Sequence, residues 1–213
     1  MRVKICGLTS AAALAHAAAA GASYGGLVFY PPSPRSLSPA MAAEVAAAAP
    51  AGFMRVALTV DAEDAEIDAI LAQVPVELLQ LHGRESPERV AALRTRTGLA
   101  VMKAVGIRDE TDLGQIALYE EVADRILVDA RPPREGAGVL PGGNALTFDW
   151  RLIAGRHWRR PWMLAGGLTP ENVAEAVRLT GASEVDVSSG VESAPGVKDP
   201  AKVEAFVEAA LAA

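Results

Sequence analysis

Eight short apolar runs alternate with alanine-rich stretches of helical pattern along the 213 residues, and this alternation predicts a (β/α)8 barrel. The units repeat every roughly 25 residues, which is the spacing of a strand followed by a helix. The runs are almost continuously apolar, as expected for parallel strands that are buried on both faces. No linker or change in composition divides the chain, so residues 1–213 are predicted to form one domain. An open, doubly wound sheet is the alternative architecture.

The eight strands are predicted where β-branched and large apolar residues cluster between glycine, proline and polar residues. In chain order they cover residues 3–7, 24–30, 55–60, 76–81, 99–105, 124–130, 161–167 and 183–189. Several helices between them are predicted to begin with a capping residue followed by proline at the first helical position. This pair of residues occurs at 38–39, 86–87, 169–170 and 199–200.

Composition narrows the choice of partners and compartment. The formal net charge of −6 gives no electrostatic reason to expect a nucleic acid or an anionic membrane as partner. The longest apolar tract, residues 11–20, has about half the length of a membrane span. We expect no signal peptide, because the start lacks an apolar region that ends in a small-residue cleavage site. A single cysteine cannot form an internal disulfide, so we expect a cytoplasmic protein.

Polar and glycine residues collect at the carboxyl ends of the predicted strands, where barrels of this kind build their active sites. This clustering predicts a functional site at that end of the barrel. The residues are Cys6 after strand one, Arg35 in the loop after strand two, His82 after strand four, Asp129 ending strand six, Gly166 and Gly167 ending strand seven, and Ser188, Ser189 and Gly190 ending strand eight.

The loops after strands seven and eight are predicted to bind a phosphate group. Glycines let a ligand approach the backbone closely, and free N–H groups at a turn or a helix start bind anions. Gly166 and Gly167 stand before a predicted helix start, and Ser188–Gly190 follow the next strand. Either loop alone could be only a tight turn, but these two loops together are the usual phosphate site of a barrel.

Cys6 is the only cysteine, and a lone cysteine is most often a small buried hydrophobe. Its place at the end of a strand, with Lys4 on the same face, favours a chemical role instead. A lysine inside a barrel needs an anionic partner, and Asp186 lies on strand eight, which would close the barrel beside strand one. We therefore expect a Lys4–Asp186 pair beneath Cys6, and we expect the ammonium group to favour the thiolate.

The other candidate site residues can also be interpreted as having only a structural role. Asp129 ends an apolar strand and could serve as a general acid, or it could pair with Arg125 or Arg131. Arg35 follows three prolines on a stiffened loop, which suits a guanidinium that clamps a carboxylate. His82 is predicted to be a loop histidine with satisfied partners. The three histidines show no metal-ligand spacing, so no bound metal is expected.

Seven motifs together resemble the phosphoribosylanthranilate isomerase family and occur in the family's order from residue 4 to about residue 199. The resemblance implies an Amadori rearrangement of a small phosphosugar, carried out by a barrel without metal or cofactor. Separately from the resemblance, a homodimer is the assembly that we consider. The motifs are KICGLT, FYPPSPR, LQLHG, ILVDA, FDW, AGGLTPENV and VDVSSGVESAPGVKD.

The resemblance also implies roles for single residues. Cys6 matches the family's general base and Asp129 its general acid, while Arg35 matches the residue that faces the anthranilate carboxylate. His82 and Asp186 fall at positions near the substrate. Six glycine and serine residues match the family's phosphate-binding site. They are Gly143, Gly166, Gly167, Ser188, Ser189 and Gly190.

The sequence differs from the family pattern at two places, and two alternative functions remain to be considered. Residues 142–145 read GGNA where the family has GGTG, and residues 57–61 differ at strand three. The first alternative is another phosphosugar barrel, such as an epimerase or indole-glycerol-phosphate synthase, for which Lys103 is the only well-placed lysine. The second is a phosphate-ligand binding module without chemistry, against which the presence of both Cys6 and Asp129 argues.

Overall fold

The structure, a computed structural model, describes residues 1–131 and 147–213. Eight parallel strands close into a barrel in chain order, and the pairing of the first strand with the last excludes the open sheet. The predicted barrel is therefore confirmed. The strands are β1 (Arg2–Cys6), β2 (Tyr24–Phe29), β3 (Met54–Thr59), β4 (Leu78–Leu81), β5 (Ala100–Ile107), β6 (Arg125–Ala130), β7 (Trp162–Leu164) and β8 (Glu184–Val187).

Helices cover the outside of the barrel, and proline stands at the start of three of them. The side chains of Ser38, Ser86 and Asp199 accept hydrogen bonds from backbone N–H groups of the first helical turn, as the sequence predicts. The described helices are α1 (Ala11–Ala19), α2 (Pro39–Ala46), α3 (Asp64–Leu71), α4 (Pro87–Thr97), α5 (Leu113–Glu120), α6 (Val173–Thr180) and α7 (Pro200–Leu211), with 3-10 turns at Glu110–Asp112, Trp150–Ile153 and Ser189–Val191.

The helix predicted to start at residues 169–170 begins later, at Val173. The Asn172 side chain accepts a 2.8 Å hydrogen bond from the Thr169 N–H and donates a 3.0 Å bond to the Gly167 carbonyl. These two bonds close a turn between β7 and α6, so Thr169 and Pro170 belong to the loop. The loop thereby keeps a non-helical backbone where a ligand is expected.

Strands β7 and β8 are shorter than predicted, because their last residues leave the sheet. Gly166 and Gly167 have φ angles of +87° and +63°, which glycine adopts readily. After β8 the chain forms a 3-10 turn and then a hairpin of β9 (Glu192–Ala194) and β10 (Val197–Lys198), which the sequence analysis did not predict. The hairpin packs on the loop after β2, since a Cβ on Gly196 would lie 2.7 Å from the Pro34 carbonyl oxygen.

Two apolar layers stabilise the barrel. One lies between the strands and the helices, and the other fills the interior of the barrel. Burying a large apolar side chain contributes about 1.5–3 kcal/mol, so the interior layer is a packed core and not a pore. A small third group, Cys6, Val28 and Leu58, lies at the carboxyl end. The interior layer consists of Tyr24, Val56, Leu78, Met102, Ala104, Leu127, Met163 and Ala165.

The described residues contain neither a membrane-spanning helix nor a cluster of metal ligands. None of the helices there is both long and apolar enough to cross a membrane. Residues 1–131 and 147–213 also contain no group of three or more His, Cys, Asp or Glu side chains arranged to hold a metal ion.

Candidate active site

Cys6 ends β1 at the carboxyl end of the barrel and is 5% exposed. Its register partner on β2 is Gly26. A Cβ at Gly26 would lie 2.8 Å from Cys6 Sγ and 3.3 Å from Lys4 Nζ. The missing side chain therefore leaves the space that the thiol and the ammonium group occupy. Sequence analysis did not single out Gly26, whose role depends on strand register.

The predicted Lys4–Asp186 pair is confirmed. Lys4 Nζ lies 2.9 Å from Asp186 Oδ1, and Lys4 is fully buried. Burial lowers the pKa of Lys4, but the Asp186 carboxylate and the neighbouring Cys6 outweigh it, so the pKa of Lys4 is raised. The ammonium group stays charged beside Cys6.

The expected effect on the thiol is only partly right. Burial raises the pKa of the Cys6 thiol, and the ammonium groups of Lys4 and Lys198 offset that rise without reversing it. The Asp186 carboxylate acts in the same direction as burial. Sequence analysis predicted the sign of the Lys4 contribution but not the cost of removing a thiolate from water, which exceeds it. Lys4 therefore favours the thiolate as expected, although burial keeps the pKa of the thiol above its usual range.

Asp129 is the penultimate residue of β6, at the same end of the barrel, and is 8% exposed. Its Oδ2 lies 3.1 Å from His82 Nε2, and its Oδ1 accepts a 2.7 Å hydrogen bond from the Ala130 N–H. The two alternative partners are engaged elsewhere. Arg125 pairs with Glu184, and Arg131 pairs with Asp112. Asp129 is thus not held by a permanent positive charge from either arginine.

His82 connects Asp129 to Gln80, a fully buried residue on β4. The Gln80 side-chain nitrogen lies 2.9 Å from His82 Nδ1. If the amide donates to Nδ1, the imidazole proton sits on Nε2 and points to Asp129. His82 has satisfied partners, as predicted. Gln80 was missed, although a polar residue inside an apolar strand two positions before a histidine is a visible signal.

Arg35 is held by Glu192 on the hairpin after β8. Its Nε and Nη2 donate hydrogen bonds of 2.7 Å and 2.8 Å to the two carboxylate oxygens of Glu192. These bonds raise the pKa of Arg35. Gly7 makes room for the arginine, because a Cβ there would lie 2.4 Å from Arg35 Cδ. Arg35 lies on its predicted loop, with a protein carboxylate on one edge.

Lys198 joins this group to the loop after β8. Its Nζ lies 2.7 Å from Glu192 Oε1 and donates a 3.0 Å hydrogen bond to the Ser188 carbonyl. The Ser188 hydroxyl donates a 3.1 Å bond to the Cys6 carbonyl. A chain of contacts therefore runs from Arg35 to Cys6. Sequence analysis assigned neither Glu192 nor Lys198 to the site.

The predicted phosphate loops lie side by side with their backbone closely packed. A Cβ on Gly166 would lie 2.6 Å from the Ala130 nitrogen, and one on Gly190 would lie 2.0 Å from the Leu168 carbonyl oxygen. Within the described part of the chain, no hydrogen bond occupies the backbone N–H groups of Gly166, Gly167 and Gly190. Unoccupied N–H groups of this kind suit an anion. The predicted Gly143 lies outside the described residues.

Lys103, the lysine considered for a different barrel enzyme, is committed to other contacts. Its Nζ lies 3.1 Å from Glu85 Oε2 and donates to the carbonyl oxygens of Leu81, Gly83 and Ala104. Burial lowers the pKa of Lys103, and the Glu85 carboxylate opposes that change. All of its donors are used within the fold, which argues against a catalytic amine on β5.

Comparison with known proteins agrees with this arrangement. The family model for N-(5'-phosphoribosyl)anthranilate (PRA) isomerase matches residues 3–209. An N-(5'-phosphoribosyl)anthranilate isomerase from Cereibacter sphaeroides is 65% identical over 210 residues, covering 99% of this chain and 98% of that protein. The phosphoribosyl anthranilate isomerase of Thermotoga maritima is 36% identical, with a TM-score of 0.89 and full coverage of both chains.

A third relative was solved with a ligand. It is a phosphoribosyl anthranilate isomerase in complex with reduced 1-(o-carboxyphenylamino)-1-deoxyribulose 5-phosphate. It is 35% identical, has a TM-score of 0.86, and covers all of both chains. The match of family model, sequence and fold over almost the whole length shows that the chain belongs to the N-(5'-phosphoribosyl)anthranilate isomerase family.

Proposed function

We propose that this protein converts N-(5-phosphoribosyl)anthranilate to 1-(2-carboxyphenylamino)-1-deoxyribulose 5-phosphate, an Amadori rearrangement in tryptophan biosynthesis. The observation that carries the proposal is the family match over residues 3–209 in a barrel that presents the Cys6 thiol and the Asp129 carboxyl group at the same end. This isomerisation requires one group that donates a proton to the substrate and one that removes a proton from it.

In the proposed first step Asp129, in its protonated form, donates a proton to the ribose ring oxygen. The bond from C1′ to the ring oxygen breaks, and the nitrogen lone pair forms the C=N bond of a Schiff base. The contact between Asp129 and His82 orients the carboxyl group for this transfer. His82 is a neighbour through which the carboxyl group can be protonated again after the step.

In the second step Cys6, as thiolate, removes the proton from C2′. The electrons of that C–H bond form the C1′=C2′ bond of an enolamine, and the C=N electrons return to nitrogen. The enolamine then tautomerises to the ketone. Burial raises the pKa of Cys6, so the thiolate is a minor but strongly basic species near neutral pH, and Lys4 beside it keeps that form accessible.

The two ends of the substrate are proposed to bind at opposite sides of these groups. The N–H groups of the loops after β7 and β8 suit the phosphate, with Gly166, Gly167, Ser188, Ser189 and Gly190 as contacts and Gly143 as a further one. Arg35 receives the anthranilate carboxylate, and His82 and Asp186 line the site between them. Fixing both ends holds the sugar between acid and base, so the reaction becomes effectively unimolecular.

We propose that the whole chain, residues 1–213, acts as one catalytic domain, since β1 and β8 share the site. The T. maritima relative is dimeric, and we propose a homodimer here, which sedimentation at several protein concentrations tests. A cytoplasmic location and the absence of a nucleic-acid partner are proposed from the single cysteine and the net charge of −6.

A turnover assay tests the function. Phosphoribosylanthranilate is generated in place, and its conversion is followed by the loss of anthranilate fluorescence. We expect turnover by the native protein and a large loss in Cys6→Ala and in Asp129→Asn. A protein that binds the substrate without turnover would be a binding module, and near-native turnover by Cys6→Ala would refute the assigned base.

A further inference from the structure

The segment VESAPGVKD after β8 carries two charged residues to which the proposed reaction gives no role. They are Glu192 and Lys198, whose side chains are 5% and 3% exposed. Charged groups at this depth are stable only when they are paired and hydrogen-bonded. The two pair with each other, and Glu192 also pairs with Arg35. The arrangement of these three residues therefore needs an explanation.

Glu192 accepts hydrogen bonds from one edge of the Arg35 guanidinium and leaves a second edge available to a ligand. A guanidinium carries five N–H donors in one plane. Glu192 accepts from Nε at 2.7 Å and from Nη2 at 2.8 Å. Within residues 1–131 and 147–213 no hydrogen bond engages Nη1. The edge formed by Nη1 and the second N–H of Nη2 can thus receive another carboxylate in the same two-bond geometry.

The guanidinium is fixed from several sides. Lys198 Nζ lies 2.7 Å from Glu192 Oε1 and holds that carboxylate, while its bond to the Ser188 carbonyl ties it to β8. The stem of Arg35 passes over Gly7, where any side chain would collide with Cδ. The plane of the guanidinium therefore cannot rotate freely. A flexible arginine would lose this conformational freedom on binding, which weakens binding.

The charges and the access also suit an anionic ligand. Arg35 and Lys198 carry two positive charges against the single negative charge of Glu192, which leaves the group net positive. Arg35 and Glu192 line an open groove of about 440 Å³, in whose wall Ser189 also lies. A small-molecule carboxylate in this groove would lie beside Arg35, which is itself 6% exposed.

We propose that Glu192 is a positioning residue, which holds Arg35 so that its free edge receives the aromatic carboxylate of the substrate. The inference rests on the proposed function, in which Arg35 binds that group. Glu192 acts through Arg35 and touches no reacting atom. Its effect is selectivity for an aromatic amine with an ortho carboxylate over the same amine without one.

Two stable ligands test the inference by calorimetry. One is reduced 1-(o-carboxyphenylamino)-1-deoxyribulose 5-phosphate, and the other is the same compound without the carboxyl group. The native protein is expected to prefer the first about 100-fold, as two charge-assisted hydrogen bonds allow. In Glu192→Gln this preference falls about tenfold, because an amide cannot accept from both donors. Glu208→Gln, an exposed change on α7, keeps the native preference.

Other outcomes separate the inference from the function on which it rests. An unchanged preference in Glu192→Gln overturns the role of Glu192, and an increased one shows that Glu192 competes with the ligand and overturns it as well. If the native protein shows no preference, the role of Arg35 fails and the inference fails with it. In Glu192→Asp the carboxylate is kept but lies further from Arg35, so the preference for the ligand with the carboxyl group must also fall. This variant replaces Glu192→Gln in the test if the amide variant does not fold.

Discussion

Lys4 Nζ lies 2.9 Å from Asp186 Oδ1, across a separation of 182 residues in the chain. The two residues are register partners on β1 and β8, so their pairing coincides with the closure of the barrel. Next to them lies Cys6, whose thiol is influenced by both charges. One buried ion pair thus connects the first and last strands of the barrel and sets the electrostatic environment of the proposed base.

Replacing the lysine in Lys4→Met is expected to raise the pKa of the Cys6 thiol further. The Lys4 ammonium group is the largest of the influences that lower this pKa. Without it, burial and the Asp186 carboxylate, which both raise the pKa, are opposed only by Lys198. Ultraviolet titration of the thiolate measures the change. Arg178→Met, which removes an exposed charge on α6, should leave the thiol pKa as it is. Equal titration curves for Lys4→Met and the native protein would contradict the coupling.

The same variant should also lose stability. It leaves Asp186 buried without its cation, which costs about 3–5 kcal/mol when a buried pair is broken on one side. Urea unfolding measures the loss. The double variant Lys4→Met/Asp186→Leu removes both charges and should recover most of it, and a double variant as unstable as the single one would contradict this account.

The reactivity of the Cys6 thiol toward iodoacetamide is expected to rise with pH from neutral into the alkaline range. The reacting species is the thiolate, and because burial raises the pKa of Cys6, the thiolate fraction is still increasing above neutral pH. Alkylation rates at a series of pH values measure this rise. Cys6→Ala should not be alkylated, while a native alkylation rate that is already constant above neutral pH would contradict the raised thiol pKa.

Removing the amide in Gln80→Leu should lower kcat about tenfold, the effect typical of losing a group that orients a functional histidine. The imidazole of His82 would keep its contact with Asp129 but lose the group that fixes its tautomer. Steady-state kinetics measure the effect. The matched variant Gln115→Leu lies on the exposed face of α5 and should retain native kcat. Native kinetics in Gln80→Leu would mean that the tautomer does not matter.

A methyl group added in Gly190→Ala should weaken phosphate binding and lower stability. The new Cβ would lie 2.0 Å from the Leu168 carbonyl oxygen, so the loops after β7 and β8 must move apart. Binding of inorganic phosphate and thermal unfolding measure the two effects. Gly114→Ala places the same methyl group in open space within α5 and should stabilise the protein by about 0.4–1 kcal/mol. Unaltered phosphate binding in Gly190→Ala would place the phosphate elsewhere.

The fold was predictable because its signals are local. Each strand is a short apolar run, and each of the three confirmed helix starts carries a capping side chain and a proline. Lys4 and Asp186 could be paired because strand parity and barrel closure follow from the same pattern. The start of α6 could not be predicted in this way. The Asn172 side chain forms hydrogen bonds with the Thr169 N–H and the Gly167 carbonyl, and such competition with the helix is not visible in the hydrophobic periodicity.

The site was predictable where a residue ends a strand and less so where partners meet through loops. Cys6 and Asp129 lie at the carboxyl ends of β1 and β6, and Gly166 and Gly167 follow β7; the sequence places all four directly. Glu192 reaches Arg35 only because a hairpin folds back over the loop after β2, a contact between residues 157 positions apart. The thiol pKa depends on the balance between burial and charge, and sequence reveals the charges but not the depth.

The link from Cys6 through Ser188 to Lys198 has a consequence during synthesis of the chain. Cys6 is synthesised long before the strand and hairpin that surround it, since Ser188 lies 182 residues further along the chain. Long-range pairings of this kind are slow to form, because the entropy of closing a long loop opposes them. A chain that has not yet added β8 and its hairpin therefore lacks part of the site, and Cys6 is without the contacts of Ser188 and Lys198 until these elements dock.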